Sequence, residues 1–466
     1  MRKLSIIGIT AAFALSAAAP SLSAQRSALA TQAVEPELVP FWHQLGDTTL
    51  ERLTRDALRA NNDVRAAQAT VRGARSARRL AAFDFAPAVT ANAGLTRRRF
   101  SAAQLPGVAA ANREQDVYDA GFDASWEVDV FGRLRSTYAA TDAIAASANE
   151  DLRDVQLSLV SELARTYFEL RGAHRQLAVA NQNAANQHRT LQLTVDRLAA
   201  GRGTAFDRER ASAQVSTTLA ARTAIEARIA AASYRLGVLA GGAQHIAPLP
   251  APDTLDVEAV DEAPVALPDV PRLESVAQLI RRRPDVRSAE RRTEAQGALV
   301  NVARADYLPR LNVVGSVGYN AGATDLLGKK DASRYVVGPV ISWPAFDIGR
   351  VRTRVDAARA QAGEARARHD QIVLSAQAEA ENAIVAYDRA RARVVFLRDA
   401  ARSSERGAEL ARLRLTGGES DFLEVLDAQR TRLDAQDRLA QGETDAVTAF
   451  LALYKALGGA WGGVVK

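Results

Sequence analysis

The amino-acid sequence contains two copies of one unit of about 220 residues. Asp63-Val64-Arg65 recurs as Asp285-Val286-Arg287, an offset of 222 residues (285 minus 63). Because the matches keep one order along the chain, we expect the two halves to share one fold. The other paired landmarks, at offsets of 215 to 222 residues, are Phe85-Ala86-Pro87 with Tyr307-Leu308-Pro309, Trp126 with Trp343, Gly132-Arg133 with Gly349-Arg350, Ala213-Gln214 with Ala428-Gln429, and Tyr234 with Tyr454.

Each copy begins with a helical pattern, at residues 49–83 in the first and 273–307 in the second. Pro87 and Pro309 are expected to end these helices, because proline has no backbone N–H and disfavours helix in the residue before it. Residues 247–271, between the copies, are rich in Pro, Asp, Glu and Val and indicate a linker.

The next pattern in each copy alternates with a period of two residues, which predicts β-strands. Its clearest stretch has one apolar face and one largely acidic face. Residues 89–96 form a partner strand, and residues 311–319 and 335–343 repeat the pair more weakly. The apolar face comprises Tyr118, Ala120, Phe122, Ala124, Trp126, Val128 and Val130, and the other face comprises Asp119, Gly121, Asp123, Ser125, Glu127 and Asp129.

A strand of this length, tilted by about 45°, spans about one bilayer core, so the pattern favours an outer-membrane barrel. Aromatic residues at the strand ends, Trp126, Phe131, Trp343 and Phe346, fit a membrane interface. A soluble antiparallel sheet remains the alternative. Four strands cannot close a membrane barrel, since the smallest have about eight, so two, three or four chains would give 8, 12 or 16 strands. In such a barrel Asp119, Asp123, Glu127 and Asp129 would face the lumen.

Two long helices follow the strands in each copy. Residues 132–200 contain no proline, and Leu163, Leu170, Leu177, Ala184, Leu191 and Leu198 keep a seven-residue spacing that predicts a coiled-coil seam. A helix of this length is about 100 Å long, over three times the roughly 30 Å hydrocarbon core, so most of it lies in water. Gly201-Arg202-Gly203 predicts a turn with a left-handed glycine, followed by Thr204 as a helix cap. The matching turn begins at Gly417-Gly418, with Asp421 and Glu424 spaced like a capping box.

The N-terminus has the pattern of a secretory signal, with Arg2 and Lys3 before an apolar run and cleavage expected after Ala24 or Ala30. The chain has no cysteine, which excludes disulfides, thiol chemistry, cysteine-ligated zinc and acyl anchoring. The charge of +6, from 60 Lys and Arg against 54 Asp and Glu, is spread along the chain, so we expect no nucleic-acid partner. Beyond the N-terminus no segment is apolar enough for a membrane-spanning helix.

Catalytic and metal-ligand motifs are missing from the sequence. The five histidines do not reach metal-ligand spacing, and no nucleophile motif occurs. We therefore expect no enzyme activity, cofactor or metal.

Several motifs together resemble the outer membrane efflux proteins, the TolC-like outer membrane factors, in their NodT branch. The resemblance implies a mainly α fold with a small β part: a homotrimer with a 12-stranded barrel in the outer membrane and a long periplasmic α-helical barrel. It also implies a passive exit duct for small molecules, docked to a periplasmic adaptor and an inner-membrane pump of the resistance-nodulation-division type, with outer-membrane lipids around it. The motifs are residues 125–133, 282–287, 341–350, 426–430 and 454–461.

The same resemblance implies site residues at the periplasmic end. Glu424 and Asp427 match acidic positions that line the narrowed mouth. A ring of like charges from several chains needs compensating cations, and Arg412 and Arg414 are the candidates for this role. Asp207 is a weaker candidate, since capping of a helix N-terminus also explains it. The turns at Gly201, Gly203, Gly417 and Gly418 would dock the adaptor.

Two other functions remain open at this point, a type I protein secretion channel and a soluble periplasmic coiled-coil scaffold.

The expected domains are a signal peptide at 1–24, a strap and first helix at 31–86, a β-hairpin at 87–131, a helical hairpin at 132–241, a linker at 242–272, a helix at 273–308, a second β-hairpin at 309–346, a second helical hairpin at 347–458 and a tail at 459–466.

Overall fold

The computed structural model describes residues 47–242, 267, 273–417, 419 and 422–459. The predicted signal peptide, the strap up to residue 46, residues 243–266 and 268–272 of the linker, and residues 460–466 of the tail lie outside these described residues. So do Gly418 of the second turn and Asp421 of its expected capping box.

The described chain is mostly helical with one small antiparallel sheet, and the two copies have the same order of elements. The first copy comprises α1 (Thr48–Ala60), α2 (Asn62–Phe83), β1 (Ala88–Arg99), β2 (Glu114–Val128), α3 (Arg133–Ala199) and α4 (Ala205–Leu239). The second comprises α5 (Leu273–Ile280), α6 (Pro284–Ala305), β3 (Arg310–Ala321), β4 (Ser333–Ser342), α7 (Ile348–Thr416) and α8 (Phe422–Ala456).

The first helical pattern of each copy is broken in the structure, where the sequence predicts one continuous helix. Asn61 separates α1 from α2 and caps α2, because its side chain accepts from the backbone N–H groups of Asp63 (2.8 Å) and Val64 (3.3 Å). Its amide also donates to the carbonyl of Leu239 at 3.2 Å. At the corresponding break, Arg283 donates to the carbonyl of Ala456 at 2.8 Å. The residue at each break therefore donates a hydrogen bond to the C-terminal end of the last helix of its own copy, α4 or α8.

The sheet has the order β1-β2-β3-β4, with every neighbouring pair antiparallel. Phe122 lies opposite Ala91 on one side and Val317 on the other, so the apolar positions of the strands share one face. The acidic positions share the other face, where Asp123 lies opposite Thr90 and Ser316. Within the described chain β1 and β4 each have one unpaired edge.

The helices form one layer that continues the order of the sheet. Near the strands the packing order is α2-α3-α6-α7, and beyond it the order is α4-α3-α8-α7. Helices α3 and α7 have 67 and 69 residues, about 100 Å each. No described helix has the length and apolar character needed to cross a membrane.

The main core lies where α1, α3, α5, α7 and α8 meet, midway along the helices. Tyr387, Phe450 and Tyr454 are fully buried there, and the rings of Tyr387 and Phe450 lie 5.6 Å apart. The seam residues Leu163, Leu177 and Ala184 are also buried. This core holds the two long hairpins side by side, with the sheet at one end and the two turns at the other.

Candidate functional site: the two-faced sheet and the helical turns

The apolar face of the sheet is exposed along its whole width in the single chain. Tyr335, Val337 and Ile341 of the edge strand are 70–80% exposed. A contiguous apolar surface of this extent on a folded protein indicates an interaction with a membrane or another protein. The other exposed residues of this face include Val89, Leu95, Phe122, Trp126 and Val317.

The opposite face carries hydrogen-bonding groups. Asp119 lies opposite Asn320, and the side-chain amide of Asn92 donates to Asp123. Glu127 accepts two hydrogen bonds from Arg133, at 2.8 and 2.6 Å. Of the four predicted lumen residues, Asp119, Asp123 and Glu127 therefore lie on one polar face.

Asp129 differs from the prediction. Strand β2 ends at Val128, and the carboxylate of Asp129 accepts from the backbone N–H groups of Leu134 and Arg135, both at 3.0 Å. It satisfies free donors at the start of α3 and is no part of the strand. Its alternation with Val128 and Val130 continues the two-residue period past the true end of the strand.

Two facing glycines bring β2 and β3 close together on the polar face. Gly121 lies opposite Gly318. A Cβ added at Gly121 would come within 2.6 Å of the Val317 carbonyl oxygen, and one added at Gly318 within 2.4 Å of the Ala120 carbonyl oxygen. Side chains are crowded on the concave side of a curled sheet, and glycine marks such close approaches.

The junctions between helices and strands repeat one contact in both copies. The indole N–H of Trp126 donates to the carbonyl of Phe85, and that of Trp343 to the carbonyl of Tyr307, both at 3.0 Å. Each tryptophan thus ties the end of its second strand, or the residue after it, to the turn before the first strand. The two other predicted interface aromatics, Phe131 and Phe346, are exposed.

The first turn between long helices has the predicted geometry. Gly201 has φ +67°, the left-handed conformation. Thr204 and Asp207 form a reciprocal capping box, in which each side chain accepts from the other's backbone N–H at 3.1 Å. The hydrogen bond from the Thr204 hydroxyl, followed by the one from its backbone, lowers the pKa of Asp207. Gly203 completes the turn before Thr204.

The second turn differs from the first in that Gly417 has φ −77° and continues the helical conformation. Arg414 donates to Glu424 at 2.7 Å and to the carbonyl of Glu419 at 3.4 Å, across the turn. Asp427 is exposed one helical step from Glu424, and Arg412 is exposed on α7. The structure therefore brings Arg414, Glu424 and Asp427 to one end of the molecule, together with Asp207.

Sequence reasoning did not identify Asn61, Arg283 or Asp129 as positioning residues. The Asn61-Asn62-Asp63 run was the available signal for the first, since asparagine favours helix caps. No cluster of His, Asp or Glu with the arrangement of a metal site occurs in the described part of the chain.

The model of the family described as "Outer membrane efflux protein" matches residues 53–242 and again residues 276–459, one match for each copy of the repeat. The outer membrane protein OprJ of Pseudomonas aeruginosa is 30% identical over 89% of this chain and 85% of its own length. The toluene efflux pump outer membrane protein TtgI of Pseudomonas putida is 28% identical over 89% of this chain and 86% of its own length. The solved outer-membrane channel OprN is similar with a TM-score of 0.81 and 37% identity, over 90% of this chain and 92% of that one.

Proposed function

The chain belongs to the outer membrane efflux protein family, and on this premise we propose that three copies assemble into one closed duct. The chain is an outer-membrane component of an efflux pump, with a helical extension into the periplasm. Membership of this family makes it a transport duct rather than an enzyme. Such proteins act together with an adaptor and an inner-membrane pump.

The observation that carries the assembly is the pair of open sheet edges. Each chain contributes four strands, with β1 and β4 unpaired on their outer sides. An open edge inside a bilayer leaves backbone N–H and C=O groups without partners, at several kcal/mol each, so the edges must pair between chains. Three chains of four strands give the 12 strands that the family resemblance implies. The helical layer also has two open edges, formed by α2 and α4 on one side and by α7 on the other.

The barrel has its apolar face toward lipid and its polar face toward the lumen. The facing glycines Gly121 and Gly318 support this orientation, because the close approach of β2 and β3 at these positions suits the crowded, concave side of a curled sheet. Asp119, Asp123 and Glu127 then line a water-filled tube. Trp126, Phe131, Trp343 and Phe346 lie at the periplasmic membrane interface, where aromatic belts form.

The narrow mouth lies at the opposite end, at the two turns. Three copies of Asp427 and Glu424 would bring like charges together, which disfavours close approach unless cations compensate. Arg414 supplies one such cation through its ion pair with Glu424, and Arg412 lies nearby on the same helix. Asp207 belongs to the same ring, and its capping role fixes its position. The turns at Gly201, Gly203, Gly417 and Gly418 dock the periplasmic adaptor.

Small molecules are the proposed cargo, delivered by an inner-membrane pump of the resistance-nodulation-division type. The relative TtgI is named for toluene efflux, which supports small apolar substrates over secreted protein. The outer-membrane location of the family is at variance with a soluble scaffold.

Dye accumulation in the host tests the function. Deleting the chain should raise intracellular accumulation of an exported dye, and the wild-type chain should restore export. A deletion that leaves accumulation of every tested dye unchanged would contradict the efflux role.

Purification in mild detergent tests the assembly separately, and a particle with any mass other than three times that of the mature chain would contradict the trimer.

A further inference from the structure

We propose that a cleft between α3 and α6 binds the phosphate of an anionic glycerophospholipid from the inner leaflet of the outer membrane. The cleft has a volume of about 500 Å³ and lies where the strands give way to the helices. Its walls combine apolar Phe131 and Leu308 with Arg135, Arg304, Ser136 and Asn301. The inference depends on the placement of the apolar sheet face in the membrane.

The cleft opens on the lipid side of the protein. Arg133 marks the lumen side of α3, because it donates to Glu127 on the polar face of the sheet. Arg135 is two residues further and so about 200° around the helix. Asp306, the residue directly after α6, likewise marks the lumen side through its ion pair with Arg310, because Arg310 is two positions before Asn312, which lies opposite Glu127 on the polar face. Arg304 is about 200° away from Asp306 around the helix. Both arginines of the cleft therefore lie on the side of the apolar sheet face.

The cleft also remains open in the proposed assembly. Neighbouring chains join at the free edges, which are β1, α2 and α4 on one side and β4 and α7 on the other. Helices α3 and α6 are neighbours in the middle of one chain. A ring closed through the edges thus leaves the α3–α6 groove facing lipid.

The charges of the cleft fit a phosphate diester. Arg135 is held over Gly132 by Asp129, which accepts from its Nε at 3.1 Å and leaves Nη1 available. The side chain of Arg304 is exposed, and its guanidinium makes no hydrogen bond or ion pair within the described part of the chain. Two guanidiniums against one carboxylate leave a net positive charge. Charge-assisted hydrogen bonds from the two arginines to the phosphate oxygens neutralise this charge, while the acyl chains lie along the adjoining apolar face of the sheet.

Phosphatidylglycerol is the probe that distinguishes this site, because its head group carries no compensating cation. Native mass spectrometry of the full mature chain in detergent, titrated with dioleoyl phosphatidylglycerol, would measure the dissociation constant of the first bound lipid per chain. Arg304→Gln should weaken it by about tenfold, the loss expected for one charge-assisted hydrogen bond. The control is Arg402→Gln, whose side chain is exposed in the single chain on α7, about 80 Å along the helix from the strands, and which should leave the lipid dissociation constant unchanged.

Equal lipid affinity of Arg304→Gln and the wild type would overturn the proposal. Binding of free glycerol 3-phosphate as tightly as of the lipid would overturn it too, since the site would then be one for a soluble phosphate. Insertion into liposomes is scored in parallel. Chains that insert but show no effect of Arg304 refute only the lipid site, whereas chains that fail to insert refute the membrane placement as well.

Discussion

Side chains at equivalent positions of the repeat make equivalent contacts in the two halves of this protein. Trp126 and Trp343 make the same bond to a backbone carbonyl, at 3.0 Å in each copy. The sequence predicts that these tryptophans correspond, because they stand at matching places in the repeat. It does not predict their acceptors, because a carbonyl of Phe85 or Tyr307 leaves no side-chain signature. The sequence also predicts a strand that includes Asp129, since alternation alone does not show where a strand ends.

The partly buried carboxyl of Asp154 on α3 gives a prediction about the pH dependence of stability. Burial raises the pKa of its carboxyl, nearby Asp285 raises it further, and Lys455 and Arg283 oppose the shift. A raised folded-state pKa stabilises the protein only at low pH, and this stabilisation is lost as the pH rises through the folded-state value. Asp154→Asn should therefore raise the denaturant midpoint at pH 7, and the gain should vanish below the unfolded pKa of about 3.8.

Circular dichroism of the purified protein across the pH range measures this difference. Asp142→Asn on the same helix is the control, because Asp142 is paired with Arg78 at 2.8 Å and its replacement should not stabilise the fold at pH 7. A midpoint for Asp154→Asn below that of the wild type at pH 7 would refute the assignment.

The acidic residues at the second turn give a prediction about conductance. Replacing Asp427 and Glu424 by alanine removes charges from the proposed mouth and releases Arg414 from its 2.7 Å ion pair. If these side chains hold the mouth closed, single-channel conductance in planar bilayers should rise. Glu381→Ala, at an exposed site in the middle of α7, should leave conductance as it is. Unchanged conductance in the double variant would remove both residues from the gate.

At the scale of elements, the sequence predicts the strands and the long helices but misses the breaks in the short ones. The helical period runs through Asn61 and through residues 281–283, so periodicity gives no reason to divide the pattern. The division comes from tertiary contacts, because Asn61 and Arg283 bind the ends of α4 and α8, which are 178 and 173 residues away in the chain. Local sequence patterns carry no information on partners so distant.

Close packing of α3 against α8 depends on a glycine. A Cβ on Gly172 would lie 2.1 Å from the Thr444 hydroxyl oxygen and 3.0 Å from its Cβ, so the side chain cannot simply rotate away. Gly172→Ala should lower the free energy of unfolding by about 1–3 kcal/mol, the usual range for overpacking. Gly297→Ala on α6, where nothing lies within 4 Å, should instead gain up to about 1 kcal/mol of helix propensity.

Denaturant titration followed by circular dichroism would compare the two variants. Adding Thr444→Ala to Gly172→Ala should recover part of the loss, because it removes the atoms that clash. Equal stability of Gly172→Ala and Gly297→Ala would show that the two helices can separate without cost.

At the scale of the whole molecule, the duplication explains why one chain offers two similar hairpins and two similar turns yet stays open. The four strands form a sheet with two free edges, and the strands of one copy do not close this sheet against those of the other. Strand number and the two faces can be read from alternation. The number of chains cannot, because 8, 12 and 16 strands all make closed barrels.

The absence of cysteine allows the two faces of the proposed barrel to be tested without background labelling. Ser316 and Val317 are adjacent in β3 and lie on opposite faces, with Ser316 opposite Asp123 and Val317 opposite Phe122. In reconstituted protein, Ser316→Cys should react with a membrane-impermeant maleimide through the water-filled lumen. Val317→Cys should be protected by lipid and should react only after transfer to denaturant. Because the two positions are adjacent in β3 and lie at nearly the same depth, a difference in reactivity reports the face of the sheet and not the depth. Equal reactivity of the two variants, or the reverse pattern, would contradict the placement of the polar face toward the lumen.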